Sequence, residues 1–151
     1  MKTVNQQAAK QELVDRVKKM SPSSKALWGK MNAHQAICHL TDQLRDLEGE
    51  RPVKYNGNPI TKFIIRPLLA RMENWPKAIF PAAPEYDQLK NGTKPTDFES
   101  DKQNLLRMLE ELDMREGKVF PMHPAFGKLT NEQYARIVYK HFDHHLKQFG
   151  V

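Results

Sequence analysis

A single cysteine, Cys38, is all the chain contains, so no internal disulfide framework, zinc ribbon or two-thiol redox motif can be built from it. Any metal must therefore be held mainly by histidine or carboxylate side chains, and a lone thiol fits a reducing compartment. No uncharged apolar run approaches the roughly 18 residues that suggest a membrane span. Residues 1–19 mix Lys, Gln, Asp and Glu without the apolar core of a secretory signal. These absences set the expectation of a cytoplasmic protein with no membrane partner. There is also no phosphate-cradling glycine loop and no serine nucleophile elbow. Strand signals are few, and no internal repeat or low-complexity tract occurs.

Basic residues do not cluster. Lys plus Arg number 24 against 18 for Asp plus Glu, a formal charge of +6, yet Lys18-Lys19 is the sole basic doublet. With no arginine-rich arm, nucleic-acid zinc finger or aromatic-and-glycine RNA signature, the pattern argues against a nucleic-acid partner, although the basicity favours anions in a general way. What is present is a globular composition: 151 residues, 39% hydrophobic and 28% charged. That suits one domain over residues 1–151, burying roughly 70% of the surface its unfolded chain exposes.

Four stretches carry helical signals. The first covers about Val4 to Met20, with Val4, Ala8, Leu13, Val17 and Met20 near one helix face, and stops at Ser21-Pro22-Ser23-Ser24. The second opens with a capping box, Asn32 and Gln35, carries Ala33, Ile37, Leu40, Leu44 and Leu47, and ends at Gly49. The third spans about Thr96 to Glu116, boxed by Thr96 and Glu99, striped by Leu105, Leu106, Leu109 and Leu112, and closed by Gly117. The fourth starts at Thr130, boxed with Gln133, and continues through Tyr134, Ile137, Val138, His141, His145 and Phe149 to Gly150.

Between the second and third lies a long connection, Gly49 to Pro95, rich in Pro and turn residues. Such length predicts some structure of its own. Ile60 to Glu73 reads as helical, with Pro67 kinking it or starting a fresh turn, and Trp75 and Phe80 are the expected anchors on the rest of the protein. Four amphipathic helices of similar length predict an all-α, four-helix bundle. Because the middle connection can cross the bundle, the expected order is up-down-down-up. Phe63, Ile64, Ile65, Leu68 and Leu69 would face either the bundle or a second subunit, which leaves a homodimer open.

The chemistry concentrates in the histidines. Five of six, His34, His39, His141, His144 and His145, fall in the second and fourth helices. His141 and His145 stand four residues apart, on neighbouring turns of one face, the spacing at which two imidazoles reach one metal ion. At about 100° per residue His145 lies near the middle of the apolar face, His141 about 50° off it, and His144 on the flank. Two imidazoles turned to a core are costly unless each finds a partner, and a shared divalent cation provides one. A third ligand must come from another helix. His34 and His39 lie on opposite flanks of the Ile37 and Leu44 stripe, and spacing alone does not choose between them.

The competing readings are structural. An inward histidine is often simply hydrogen-bonded, and His144 suits a solvated or supporting role; Asp143 would point away from His145 and could accept an outer hydrogen bond from a different imidazole. Cys38 projects about 100° from His39 and reads as a small buried residue. His123-Pro124-Ala125-Phe126-Gly127 is either a turn anchored by Phe126 or a loop that hangs His123 over the bundle mouth. Trp28 and Phe98 read as core or core-edge packing.

Three segments taken together carry a resemblance: Trp28-Gly29-Lys30-Met31-Asn32-Ala33-His34-Gln35 running into Cys38-His39-Leu40, then His123-Pro124 with Phe126-Gly127, then Lys140-His141-Phe142-Asp143-His144-His145-Leu146-Lys147-Gln148-Phe149-Gly150. The chain resembles the DinB and YfiT-like superfamily, and more narrowly a bacterial branch of it of unknown function. The resemblance implies a four-helix bundle in the crossover order above. It also implies a divalent metal, Zn or Ni, held by His39, His141 and His145, with His39 preferred over His34 because Leu40-Thr41-Asp42 follows it. Three imidazoles leave an open site, suited to activating a water or a thiol or to polarising a carbonyl. The expected function is thus a metal-dependent hydrolase or thiol-dependent transferase acting on a small molecule, with a low-molecular-weight thiol among the candidate partners. The alternative is a non-catalytic metal-binding or stress-response module.

Overall fold

A computed structural model of the chain describes residues 1–51, 54–77, 84–115 and 117–151. Among the described residues the α-helices are α1 (Gln7–Lys19), α2 (Ala33–Leu47), α3 (Arg66–Arg71), α4 (Phe98–Glu111) and α5 (Asn131–Gln148). A five-residue π-helical turn, Thr61–Ile65, leads into α3. No strand occurs among the described residues; the nearest thing is an isolated bridge between His123 and Gly127.

The capping chemistry places two helices where the sequence puts them. At α2 the Asn32 side chain accepts from Gln35 N at 2.9 Å while Gln35 Oε1 accepts from Asn32 N at 2.9 Å. At α5 the Thr130 and Gln133 pair makes the same exchange at 3.2 and 3.1 Å. Each box satisfies two amide groups that the first turn leaves unpaired.

The third expected helix is corrected at both ends. Its cap is Asp97, whose carboxylate accepts from Ser100 N at 2.8 Å, and not a Thr96 and Glu99 box; Thr96 is committed to the Asp101 carboxylate. The helix stops at Glu111 because the chain turns extended at Leu112. Leu112 and Met114 then both enter the core by alternation, a period-two pattern hidden inside an apparent helical stripe. Glu116, where the helix was expected to end, lies outside the described residues. In α1 the inward alanine is Ala9, not Ala8, which is exposed. Val4 precedes the helix and is pinned by its amide to Ala135 O at 3.2 Å.

One core joins α1, α2, α4 and α5, with Leu13, Leu40, Leu44, Leu105, Leu109, Phe142 and Leu146 fully buried. The closest pairings are α2 with α4, α1 with α4 and α1 with α5. The Gly49 to Pro95 connection forms its own structure, as its length requires. Asn58 and Thr61 cap its helical part reciprocally. Pro67, in the first turn of α3, has no N–H to continue the ladder, and the Arg66 amide reaches back five residues to Thr61 O, producing the π turn.

Leu69 joins Phe126 and Ile137 in a second small cluster, with Trp75 against it. The Lys140 ammonium donates to Leu69 O at 3.1 Å and to Met72 O, covering carbonyls that the end of α3 leaves open and tying the connection to α5. Phe63, Ile64 and Leu68 face outward, at 69%, 61% and 56% exposure. The expected Phe80 anchor lies outside the described residues. No described helix is long and apolar enough to cross a membrane.

Candidate metal centre

Three imidazole nitrogens meet where α2 and α5 face each other. His141 Nε2 lies 3.0 Å from His39 Nε2 and 3.1 Å from His145 Nε2. On the far side of each ring, Nδ1 meets an oxygen: Tyr86 O at 2.8 Å for His39, Gln43 Oε1 at 2.7 Å for His141 and Gln148 Oε1 at 2.9 Å for His145.

These outer contacts decide where the protons sit. A backbone carbonyl only accepts, so His39 must carry its proton on Nδ1. The amide nitrogen of Gln148 is committed to Trp28 O at 2.6 Å, so its oxygen is the atom that faces His145. With Nδ1 protonated on each ring, the three Nε2 atoms present bare lone pairs to one another. Contacts of about 3 Å between lone pairs have no N–H to make them attractive, whereas a cation between them does.

Burial keeps the rings neutral. Desolvation lowers the His39 pKa, and it holds His141 and His145 well below the ordinary histidine value, with the neighbouring imidazoles adding to the effect. Protons therefore do not compete for the lone pairs near neutral pH. Two nitrogens on a tetrahedral ion at 2.0–2.1 Å stand about 3.3 Å apart, so the observed spacings need to open by only a few tenths of an ångström. The three histidines could hold one metal ion.

Residues 6–150 match the protein family of unknown function DUF1569. The chain belongs to that family. No curated protein and no solved structure matches it.

The supporting parts of this DUF1569 member come from residues that the sequence reading passed over. Gln43 stands one turn after His39, and Gln148 three residues after His145. A buried amide one turn from an inward histidine is the pattern that could have flagged both. Gly29 explains itself here: its φ is +81°, and a Cβ would come within 2.4 Å of Gln148 Nε2, so only glycine lets Trp28 O reach that amide.

Asp42 is fully buried and accepts from Arg51 Nη1 at 2.7 Å, Thr93 N at 2.9 Å and Gln88 Nε2 at 3.2 Å. It thereby fastens the 84–93 segment, and with it the Tyr86 carbonyl, over His39. The Tyr86 hydroxyl donates to Asp46 on the next turn of α2.

The remaining histidines do other work. His34 turns to the opposite flank of α2 and meets Asp101 at 2.7 Å. His144 packs between Trp28 and Trp75, at ring separations of 5.8 and 6.3 Å, and stands 5.1 Å from the His145 ring. Asp143 bonds no imidazole. It faces α1 and pairs with Arg16 and Lys147, each at 2.8 Å.

His123 belongs to a tight turn, where its Nδ1 accepts from Ala125 N and Phe126 N, both at 3.2 Å, and its ring stacks on Phe126. It therefore takes the turn reading and not the overhanging one. Cys38 is buried, and desolvation with the Asp101 charge pushes its thiol up to about 12, which removes it as a free nucleophile.

Proposed function

We propose that His39, His141 and His145 bind one divalent cation, zinc or nickel, through Nε2, and that this open three-histidine centre serves a metal-dependent enzyme of hydrolase or thiol-dependent transferase type acting on a small molecule. The observation that supports the reading is the set of three Nδ1 contacts to Tyr86 O, Gln43 Oε1 and Gln148 Oε1. They aim three unprotonated nitrogens at one point without any partner of their own. Oxygen acceptors behind metal-binding imidazoles orient the ring and raise its basicity.

A divalent ion bound there supplies Lewis acidity, lowering the pKa of a coordinated water or thiol or polarising a carbonyl. The protein's own contributions are separable. Gln43 and Gln148 hold α5's two rings against rotation. The Asp42 clamp sets His39. Trp75, whose ring stands 6.3 Å from that of His141, brings an aromatic side chain beside the centre. Imidazole ligands alone do not select between zinc and nickel. The resemblance to the DinB and YfiT-like superfamily, with its up-down-down-up bundle, agrees with this assignment and belongs to the same proposal.

The test is metal content and affinity, by titration against a chelator, for the wild type, His141→Ala and His145→Ala. Loss of one bound equivalent in both variants is the expected result. Unchanged binding in both would remove the centre.

A further inference from the structure

The other flank of α2 carries a second set of donors, unrelated to the three-histidine centre. His34 and Cys38 stand one turn apart on α2, and Asp101 projects toward them from the first turn of α4. His34 Nε2 is 2.7 Å and Cys38 Sγ 3.8 Å from the same oxygen, Asp101 Oδ2. All three donor atoms lie within 4.8 Å of one another. A hydrogen bond from the imidazole and a weak one from the thiol gather both groups on this one carboxylate oxygen, so a nitrogen, a sulfur and an oxygen converge on one point.

Three features make this more than proximity. The carboxylate is held from behind: Thr96 N donates to Oδ2 at 3.0 Å and Thr96 Oγ1 donates to Oδ1 at 3.2 Å. Such support orients a ligating carboxylate. The cluster is reachable, since Cys38 is buried while the His34 and Asp101 side chains keep 21% and 25% exposure, so an ion can enter from solvent and retain water in a fourth position. The donor set is one nitrogen, one sulfur and one oxygen. A thiolate and a carboxylate together neutralise a divalent charge, and sulfur favours zinc-like ions over magnesium or calcium.

We infer that His34, Cys38 and Asp101 form a second divalent-cation site of mixed N, S and O donors, with zinc as its natural occupant. Binding displaces the two protons that point at Asp101 Oδ2, one on the Cys38 thiol and one on His34 Nε2; both pass to solvent as the metal–sulfur and metal–nitrogen bonds form, and the neutral imidazole carries its proton on Nδ1. The site joins α2 to α4, whereas the three-histidine centre joins α2 to α5, so α2 carries one ion on each flank. This assignment stands whether or not the three-histidine centre is catalytic.

Cobalt(II) tests it, because a thiolate ligand gives cobalt a near-ultraviolet charge-transfer band that an all-imidazole site cannot produce, and Cys38 is the chain's single thiol. Wild-type protein, stripped of metal and titrated with cobalt chloride, is expected to take up two equivalents and to develop that band. Cys38→Ser should keep one equivalent and lose the band. His141→Ala should lose the other equivalent and keep the band, which separates failure of this site from failure of the first. His34→Ala retains the thiol and guards against a folding defect in Cys38→Ser; it should weaken the band-forming affinity at least tenfold. Absence of the band in wild type at saturating cobalt, or a band unaffected by His34→Ala, overturns the assignment.

Discussion

Replacing Asp42 by alanine tests how the long connection is tied to the bundle. The carboxylate is fully buried, and besides Arg51, Gln88 and the Thr93 amide it accepts from Thr93 Oγ1 at 2.5 Å. Removing one member of a buried ion pair costs about 3–5 kcal/mol because the other charge is left uncompensated. Arg51 keeps 27% exposure and can partly rehydrate, which favours the lower end. Gln88 is buried and loses an acceptor, which adds about 1 kcal/mol. The sum is about 4 kcal/mol, and for a chain of this length that lowers Tm by about 8–16 °C. Urea or thermal unfolding by circular dichroism measures it.

The same substitution frees the Tyr86 carbonyl from His39, so zinc affinity at the three-histidine centre should fall about 10- to 100-fold. Asp42→Asn retains an oxygen and the side-chain shape and should fall between the two. A loss under about 1 kcal/mol would refute the energetic reasoning. A full loss of stability with unchanged zinc affinity would refute the link from Asp42 through Tyr86 to His39.

Three further outcomes are expected. Gln43→Leu and Gln148→Leu should each weaken zinc binding about 10- to 100-fold while leaving the helical circular dichroism intact; equal affinity in both would mean that the Nδ1 contacts do not tune the rings. In a Cys38→Ser background, which leaves only the three-histidine centre, zinc at 100 times its Kd should stabilise the fold by about 2.7 kcal/mol, raising Tm by roughly 5–10 °C, and adding His145→Ala should abolish the rise; a metal-independent Tm would count against a site in the native state. Burial holds His123 down to about 4, below the unfolded value near 6.5. Its contribution is therefore complete above about pH 6.5 and is lost as pH falls toward 4, by up to about 3 kcal/mol. Urea titrations across that window should show a shallower slope for His123→Gln, and identical slopes would refute the assignment.

Much of the fold was legible because its signals are local. The boxes at Asn32 and Thr130 and the apolar stripes of α2 and α5 depend on residues within a turn or two of each other, and periodicity reads those directly. Local reading failed where two local patterns compete. Leu109 and Leu112 continue a helical stripe, but Leu112 and Met114 also alternate, and the core took the second pattern. Asp97 outcompeted Thr96 as a cap because its carboxylate reaches the Ser100 amide, which frees Thr96 to hold Asp101.

The candidate centre divides in the same way. Spacing on one helix determined that His141 and His145 share a face, because 3.6 residues per turn leaves no other outcome. The sequence also determined that His34 and His39 flank opposite sides of α2. Only the tertiary structure decided which flank meets α5, since the angle of a side chain on its own helix says nothing about which neighbour that flank will face. It likewise decided that Tyr86, from a connection without helical periodicity, would present its carbonyl to His39. That contact depends on the buried Asp42 drawing a distant stretch of chain onto α2, and no local pattern encodes it.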